Sequence, residues 1–327
     1  MNNPNVSITR TAEFVTPKHP DKLCDRIADS LLDEYVKHDP NSRVALEVTG
    51  GHGQVFITGE VTSTHTPDFQ AIVAQVLETD QYKLAVNVDK QSPEIAAGVD
   101  SESSNHLGAG DQGIVIGYAC NETDELLPLE YALARDLCQK LYKHYPVDGK
   151  VQVTINNDRP VVVVASFQHA PQAKLRELVE HYLPGADNYI INPAGDWSIG
   201  GFDADSGTVG RKLAIDNYGP RVRIGGGAFS GKDLSKTDRS GAYFARNIAV
   251  HILKQTAASE VEVELAFAIG VADPVARNIV VRGGNSDCDL PYIMSPRQWI
   301  QSLDLSNTTF SDVASWGHFG RQFPWEE

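Results

Sequence analysis

An α+β fold of three similar domains is predicted by two observations. The order helix, hairpin, helix, strand recurs three times, and its leading helices begin near residues 20, 128 and 239, offsets of 108 and 111. A period that long marks whole repeated domains and not the short stacked units of a solenoid. The 327 residues suffice for three such domains. The expected segments are 1–98, 108–199 and 200–327, with a separate loop over 99–107.

Each element has a local reason. His19 to Val36 reads as a helix because Pro20 suits its first turn and Leu23, Ile27, Leu31 and Tyr35 share one stripe. Arg43–Thr49 and Gln54–Thr62 alternate and are joined by Gly50-Gly51-His52-Gly53, a hairpin signal. Thr66-Pro67-Asp68 caps a helix whose apolar face is Phe69, Ile72, Val73, Val76 and Leu77. The second copy has a helix at Leu129–Tyr145, a hairpin Val151–Ile155 and Pro160–Phe167 turning at Asn156-Asn157-Asp158, and a helix from Pro171 to Leu183. The third has a helix from Arg239 to Ala257, a hairpin Val261–Ile269 and Asn278–Arg282, and a short helix at Pro296–Leu303. Hairpins give antiparallel neighbours, which place the helices on one sheet face.

Composition excludes several classes. With 43 acidic and 28 basic side chains the net charge is −15, the opposite of what a general nucleic-acid binder needs. No apolar run approaches the ~20 residues of a membrane span, and the first residues lack a signal-peptide pattern. Cys24, Cys120, Cys138 and Cys288 show no C-x-x-C spacing, which disfavours a disulfide frame or a zinc site. A soluble cytoplasmic protein is expected.

Two glycine-rich strings imitate known motifs without matching them. Gly108-Ala109-Gly110-Asp111-Gln112-Gly113 fits G-x-G-x-x-G, but Ile114–Tyr118 after it reads as a strand where a dinucleotide fold needs a helix. Gly226 to Lys232 approaches a P-loop, yet Asp233 stands where the magnesium-binding Ser or Thr belongs. A glycine loop carrying a lysine before a helix still suits phosphate, because backbone N–H groups and the ammonium converge. Between Val209 and Arg246, eight basic residues (Arg211, Lys212, Arg221, Arg223, Lys232, Lys236, Arg239, Arg246) meet three acids, a local +5 that points to a small polyanion. On the first helix Asp21, Asp25 and Asp29 recur at i, i+4 and i+8 on one face. Asp25 and Asp29 are expected to be solvated, while Asp21, in the first turn beside His19, suits Mg²⁺ bridging to phosphate oxygens. Glu47 and Glu60, flanked by apolar residues, are either solvated rim carboxylates or ligands for a cation or ammonium group.

Read together, these strings resemble the S-adenosylmethionine synthetase (methionine adenosyltransferase) family. The resemblance is carried by His19-Pro20-Asp21-Lys22, Lys90-Gln91-Ser92-Pro93, Gly108 to Gly113, Gly210-Arg211-Lys212, Asp216-Asn217-Tyr218-Gly219, Gly226 to Ser240, Gly317-His318-Phe319-Gly320-Arg321 and Phe323-Pro324-Trp325-Glu326. They stand in family order over residues 13 to 326. The resemblance implies three similar α+β domains about a pseudo-threefold axis. It also implies that ATP, methionine and water become S-adenosylmethionine, pyrophosphate and phosphate, with two Mg²⁺ per site and K⁺.

The resemblance further implies roles. His19, Lys150 and Lys232 are the catalytic residues, and ATP is held by these with Asp148, Asp196, Trp197, Asp205, Arg211, Lys212 and Ala228. Trp197 occupies the place of the adenine-stacking aromatic. Methionine is held by Glu60, Gln91, Asp111, Asp205 and Lys236. Asp21 and Asp238 ligate Mg²⁺, and Glu47 ligates K⁺. A homodimer with shared active sites is implied, with a dimer of dimers as the open alternative, and Val99–Leu107 matches the family's mobile gate. Three departures stand out. Pro17-Lys18 replaces Glu-Gly, Asp196 replaces an arginine, and the chain is shortened before Lys90, between Leu129 and Lys150, and after Trp325. The alternatives are a non-catalytic binder on the same scaffold and a tripolyphosphate or ATP hydrolase. Retention of His19, Asp21, Lys150 and Lys232 opposes the first, and retention of Glu60, Gln91, Asp205 and Lys236 opposes the second.

Overall fold

The computed structural model describes residues 8–90, 111–271, 273–284, 296–303, 305 and 308–327. Gln91, the 99–107 gate, Gly108–Gly110 and Cys288 lie outside them.

The first repeat runs through β1 (Thr9–Val15), α1 (Pro20–His38), β2 (Arg43–Gly51), β3 (Gln54–Thr62), α2 (Phe69–Leu77) and β4 (Lys83–Asp89). The second follows as β5 (Gly113–Cys120), α3 (Leu129–His144), β6 (Gly149–Asn156), β7 (Arg159–Phe167), α4 (Gln172–Tyr182) and β8 (Asn188–Ile191). The third comprises β9 (Gly207–Thr208), the one-turn α5 (Leu213–Asp216), α6 (Thr237–Thr256), β10 (Glu260–Phe267), β11 (Ala276–Arg282), α7 (Pro296–Ser302) and α8 (Phe310–Ser315).

Local chemistry sets these boundaries. His19 caps α1, its Nδ1 accepting from the Asp21 N–H at 3.2 Å, and Pro20 occupies the first turn. Leu23, Ile27, Leu31 and Tyr35 are buried, as their spacing predicts. Asp68 caps α2 by accepting from the Ala71 N–H. Both two-residue hairpin loops have positive φ at each centre, His52 and Gly53 in the first and Asn157 and Asp158 in the second. That backbone matches the twist of the flanking strands.

The sheets differ from the antiparallel expectation in two ways. First, they are mixed: β4 runs parallel to β3 and β8 parallel to β7, with α2 and α4 as the crossovers between them. Second, each repeat gives away its leading strand. β1 pairs antiparallel with β6 along its whole length, inside the second repeat's sheet β1-β6-β7-β8. β5 pairs with β10 in the third repeat's sheet β11-β10-β5. β9 pairs with β2 in the first repeat's sheet β4-β3-β2-β9, which closes the cycle. The leading helices α1, α3 and α6 pack on these sheets, and their apolar stripes merge into one core. Among the described residues no helix is long and apolar enough to cross a membrane.

Candidate active site

The site is assembled around α1, three of whose four aspartates hold two loops, Asp21 and Asp25 the 208–210 segment and Asp29 the loop at Gly231. Asp21 Oδ1 accepts the Thr208 N–H at 3.0 Å, Asp25 Oδ1 the Gly210 N–H at 2.9 Å, and Asp29 Oδ1 the Gly231 N–H at 2.9 Å. Asp25 and Asp29 are buried, which corrects the expectation that they face solvent. Buried charge needs partners, and both aspartates have them. Arg239, itself fully buried, forks onto the two oxygens of Asp29 at 2.7 and 2.9 Å. Lys22 sits between Asp25 at 2.9 Å and Asp216 at 2.5 Å, with all three side chains buried. Burial pushes the Asp216 carboxyl up to about 7; Lys22 opposes this and Asp25 reinforces it, so one ammonium serves two carboxylates. Sequence reasoning missed these anchors, although the i, i+4, i+8 spacing was the signal that could have found them.

The Gly226–Asp233 loop lies on the free edge of β2, beyond β9. Leu46 N–H donates to Gly231 O, Lys232 bridges Ala45, and Asp233 N–H donates to Val44 O. This explains the aspartate that breaks the P-loop pattern. Its Oδ2 accepts the Val44 N–H at 2.7 Å and its Oδ1 the Ser235 N–H at 2.8 Å, so Asp233 is a strand-edge anchor.

Two sets of charged groups result. The first gathers at the N-terminus of α1. Asp21 Oδ2 meets Lys212 Nζ at 2.5 Å, and Arg211 stands 3.6 Å from Asp21 Oδ1. Burial alone would raise the Asp21 carboxyl, but hydrogen bonds from Lys212 and the Thr208 N–H bring it below the usual range. Burial and then the Lys212 charge lower the His19 imidazole to about 4 against the pull of Asp21; Lys150 and Asp205 act on it more weakly, in opposite senses. His19 is therefore neutral at pH 7. Since its Nδ1 accepts the Asp21 N–H, its proton resides on Nε2. Asp148, whose carboxyl is raised by burial, fixes the neighbouring loop by accepting the Gly201 N–H at 2.9 Å.

The second set lies on the loop and the open face of β2–β3. Lys232 Nζ is 2.7 Å from Asp238 Oδ2 in the first turn of α6. Gly227 lacks the Cβ that would stand 2.2 Å from Asp238 Cγ, so the loop approaches this carboxylate closely. Lys236 caps α6 with its backbone. Glu47 and Glu60 project from the same face, and burial raises the Glu47 carboxyl while Lys232 opposes the shift. Ala228 lies against Gly210.

Other expected site residues have different immediate partners. Lys150 ion-pairs with Glu13 on the neighbouring strand at 2.6 Å. Asp196 accepts the Gln172 N–H at 2.9 Å at the start of α4, a role its arginine counterpart could not fill. Trp197 is half-buried, and Asp205 and Asp111 are exposed. The +5 patch is also narrower than its sequence implied. Arg239 and Arg246 are buried, Arg221 pairs with Glu122 and Glu130, and Arg223 with Glu262 and Glu264. Arg211, Lys212, Lys232 and Lys236 remain beside the site. The C-terminal strings are structural: Trp325 stacks on Tyr243 at 4.1 Å and donates to His318 O, while Glu326 pairs with the buried Arg246 at 2.8 Å.

Known proteins resemble the chain over its whole length. Models of the N-terminal, central and C-terminal domains of S-adenosylmethionine synthetase match residues 7–104, 106–197 and 199–327. The S-adenosylmethionine synthase of Bifidobacterium adolescentis is 40% identical over 383 aligned positions, covering 97% of this chain and 95% of that protein. That of Prochlorococcus marinus is 38% identical with the same coverage. The structure described as an unusual S-adenosylmethionine synthetase from Campylobacter jejuni superposes with a TM-score of 0.86 at 31% identity, over 98% of this chain and 96% of that one. With all three domain models in order and the fold shared throughout, the chain belongs to the S-adenosylmethionine synthetase family.

Proposed function

We propose that the two charged sets are complementary halves of one site that makes S-adenosylmethionine from ATP and L-methionine. The methionine sulfur forms a bond to C5′ as the C5′–O bond breaks, and the electron pair leaves with the triphosphate, which water then cleaves to pyrophosphate and phosphate. A thioether has no proton to lose, so the first step needs in-line positioning and cations at the leaving oxygens, not a base. Neutral His19 offers its Nε2–H to the leaving 5′ oxygen and α-phosphate. Lys212, Arg211, Lys150 and Lys232 hold the phosphates, and Trp197 stacks on adenine beside Asp148, Asp196 and Ala228. Glu60, Gln91, Asp111, Asp205 and Lys236 form the methionine pocket, with Asp205 on the ammonium and Lys236 on the carboxylate.

Asp21 and Asp238 present hard carboxylate oxygens already compensated by lysines, a donor set that fits Mg²⁺. Glu47, pushed up by burial beside Glu60 and Asp25, fits a monovalent cation such as K⁺. Bound there, the cations would neutralise phosphate charge. Asp21 pairs with Arg211 and Lys212 while Asp238 pairs with Lys232. That separation supports a homodimer in which a second copy completes each half, and the dimer of dimers is the larger alternative. The buried thiols Cys24, Cys120 and Cys138 support a reducing, cytoplasmic setting.

The observation that carries this reading is the convergence of a neutral histidine, a carboxylate and a lysine at the first turn of α1. The test is product analysis with ATP, methionine, Mg²⁺ and K⁺, each omitted in turn. Methionine-dependent appearance of the sulfonium with pyrophosphate and phosphate is expected. Phosphate released without methionine would make the protein a hydrolase.

A further inference from the structure

The far end of α1 carries a different chemistry. Glu34 and His38, one turn apart, meet His65 from the segment that leads into α2. One ligand atom from each lies within 4.8 Å of the other two. His38 Nε2 is 2.9 Å and His65 Nε2 3.9 Å from Glu34 Oε1, and the imidazoles stack with centroids 4.2 Å apart. His65 Nε2 is shielded from solvent and makes no hydrogen bond. An orphaned imidazole nitrogen facing a carboxylate oxygen and a second imidazole lacks an electron-pair acceptor.

We propose that Glu34, His38 and His65 bind Zn²⁺. Tetrahedral zinc with ligands at about 2.0–2.2 Å needs ligand atoms roughly 3.4 Å apart, and the observed 2.9 and 3.9 Å straddle that value. Two imidazoles with one carboxylate select a borderline metal over Mg²⁺, which prefers oxygen and retains its waters. The surroundings hold His65 in place. Asp39 accepts from Thr64 N–H at 2.8 Å and Thr64 Oγ1 at 2.9 Å, and Ser63 Oγ accepts the His65 N–H at 3.1 Å. The cation would sit beside the C-terminal carbonyls of α1, where the helix dipole favours positive charge. The competing charge is Lys37, 3.5 Å from the other oxygen of Glu34. Water completes the shell at this partly exposed position. Zinc here would clamp the end of α1 to the start of α2, about 28 Å along the helix from His19, so it would act on stability and not on turnover.

The test uses tag-free full-length protein, stripped with chelator and held in excess Mg²⁺ so that hard oxygen sites are filled. Zinc alone is titrated into wild type, His65→Gln and His38→Gln. One equivalent that both substitutions weaken at least tenfold is expected, with a zinc-dependent rise in Tm of a few degrees in wild type only. Turnover of the variants should stay within twofold of wild type. Zinc K-edge absorption on wild type should show two imidazole scatterers. Equal zinc binding by all three proteins, no uptake at micromolar free zinc, or an all-oxygen shell would overturn the proposal.

Discussion

At the scale of single residues, buried charges such as Arg239 and Arg246 hold the fold, while Arg211, Lys212 and Lys232 stand at the candidate site. Lys232 pairs through its ammonium with Asp238 in the first turn of α6. Replacing it with alanine should lower kcat about 10²-fold with an unchanged unfolding midpoint, if it stabilises leaving-group charge. Unchanged turnover would remove it from the mechanism. His19 carries a second prediction. Its folded pKa, about 4, lies below its ordinary 6.5, so the unfolded chain binds the extra proton first. Its contribution to stability is therefore complete above pH 6.5 and is lost as pH falls towards 4. Asparagine retains the cap without titrating. His19→Asn should therefore remove the destabilising share of His19 from the pH dependence of the urea midpoint between pH 7 and 4.5. What remains is the buried His318, also lowered by burial, opposed by Asp216, whose raised carboxyl gains stability as pH falls. An identical slope would show that His19 does not titrate in this range.

At the scale of elements, α1 is a spine from whose aspartate face hang the 208–210 segment and the loop at Gly231. Asp29→Ala would leave the buried Arg239 guanidinium without its carboxylate and the Gly231 N–H without its acceptor. A loss of about 3–5 kcal/mol is expected, measured by urea unfolding. Adding Arg239→Met should restore most of it, because an apolar side chain of similar volume has no charge to desolvate. Much of this level was legible in the sequence. Leading helices and hairpins follow from short-range periodicity, and the turns at His52-Gly53 and Asn157-Asp158 from local residue types. The environment of Asp25 and Asp29 was not legible, because their partners, Gly210 and Gly231, lie 185 and 202 residues further along. Arg239 and Arg246 were counted into a surface patch for the same reason. A charged side chain looks alike in sequence whether it meets water or a distant carboxylate.

For the whole molecule, the cyclic gift of leading strands decides how the repeats depend on one another. The periodic pattern begins each repeat at its helix and does not reveal β1, and nothing local names β6 as its neighbour. Removing residues 1–16 should therefore loosen the second repeat's sheet more than the first's. Hydrogen exchange should lose protection first in β6, which pairs with β1 over all seven of its residues. Equal loss across the three sheets, or loss confined to β2 and β3, would contradict this. The candidate site follows the same logic. The family strings supplied the candidate side chains, while their grouping into an α1 set and a loop set came only from the folded arrangement.

The closed cycle of borrowed strands also has a consequence for a chain emerging from the ribosome. β1 leaves the tunnel well over a hundred residues before β6, and the edge of β2 waits still longer for Gly207 and the Lys232 loop. Until then the first hairpin carries an uncovered hydrogen-bonding edge, a template for wrong partners. The nascent first repeat would need shelter by chaperones or by quick completion of synthesis, and its sheet is finished only when the third repeat arrives.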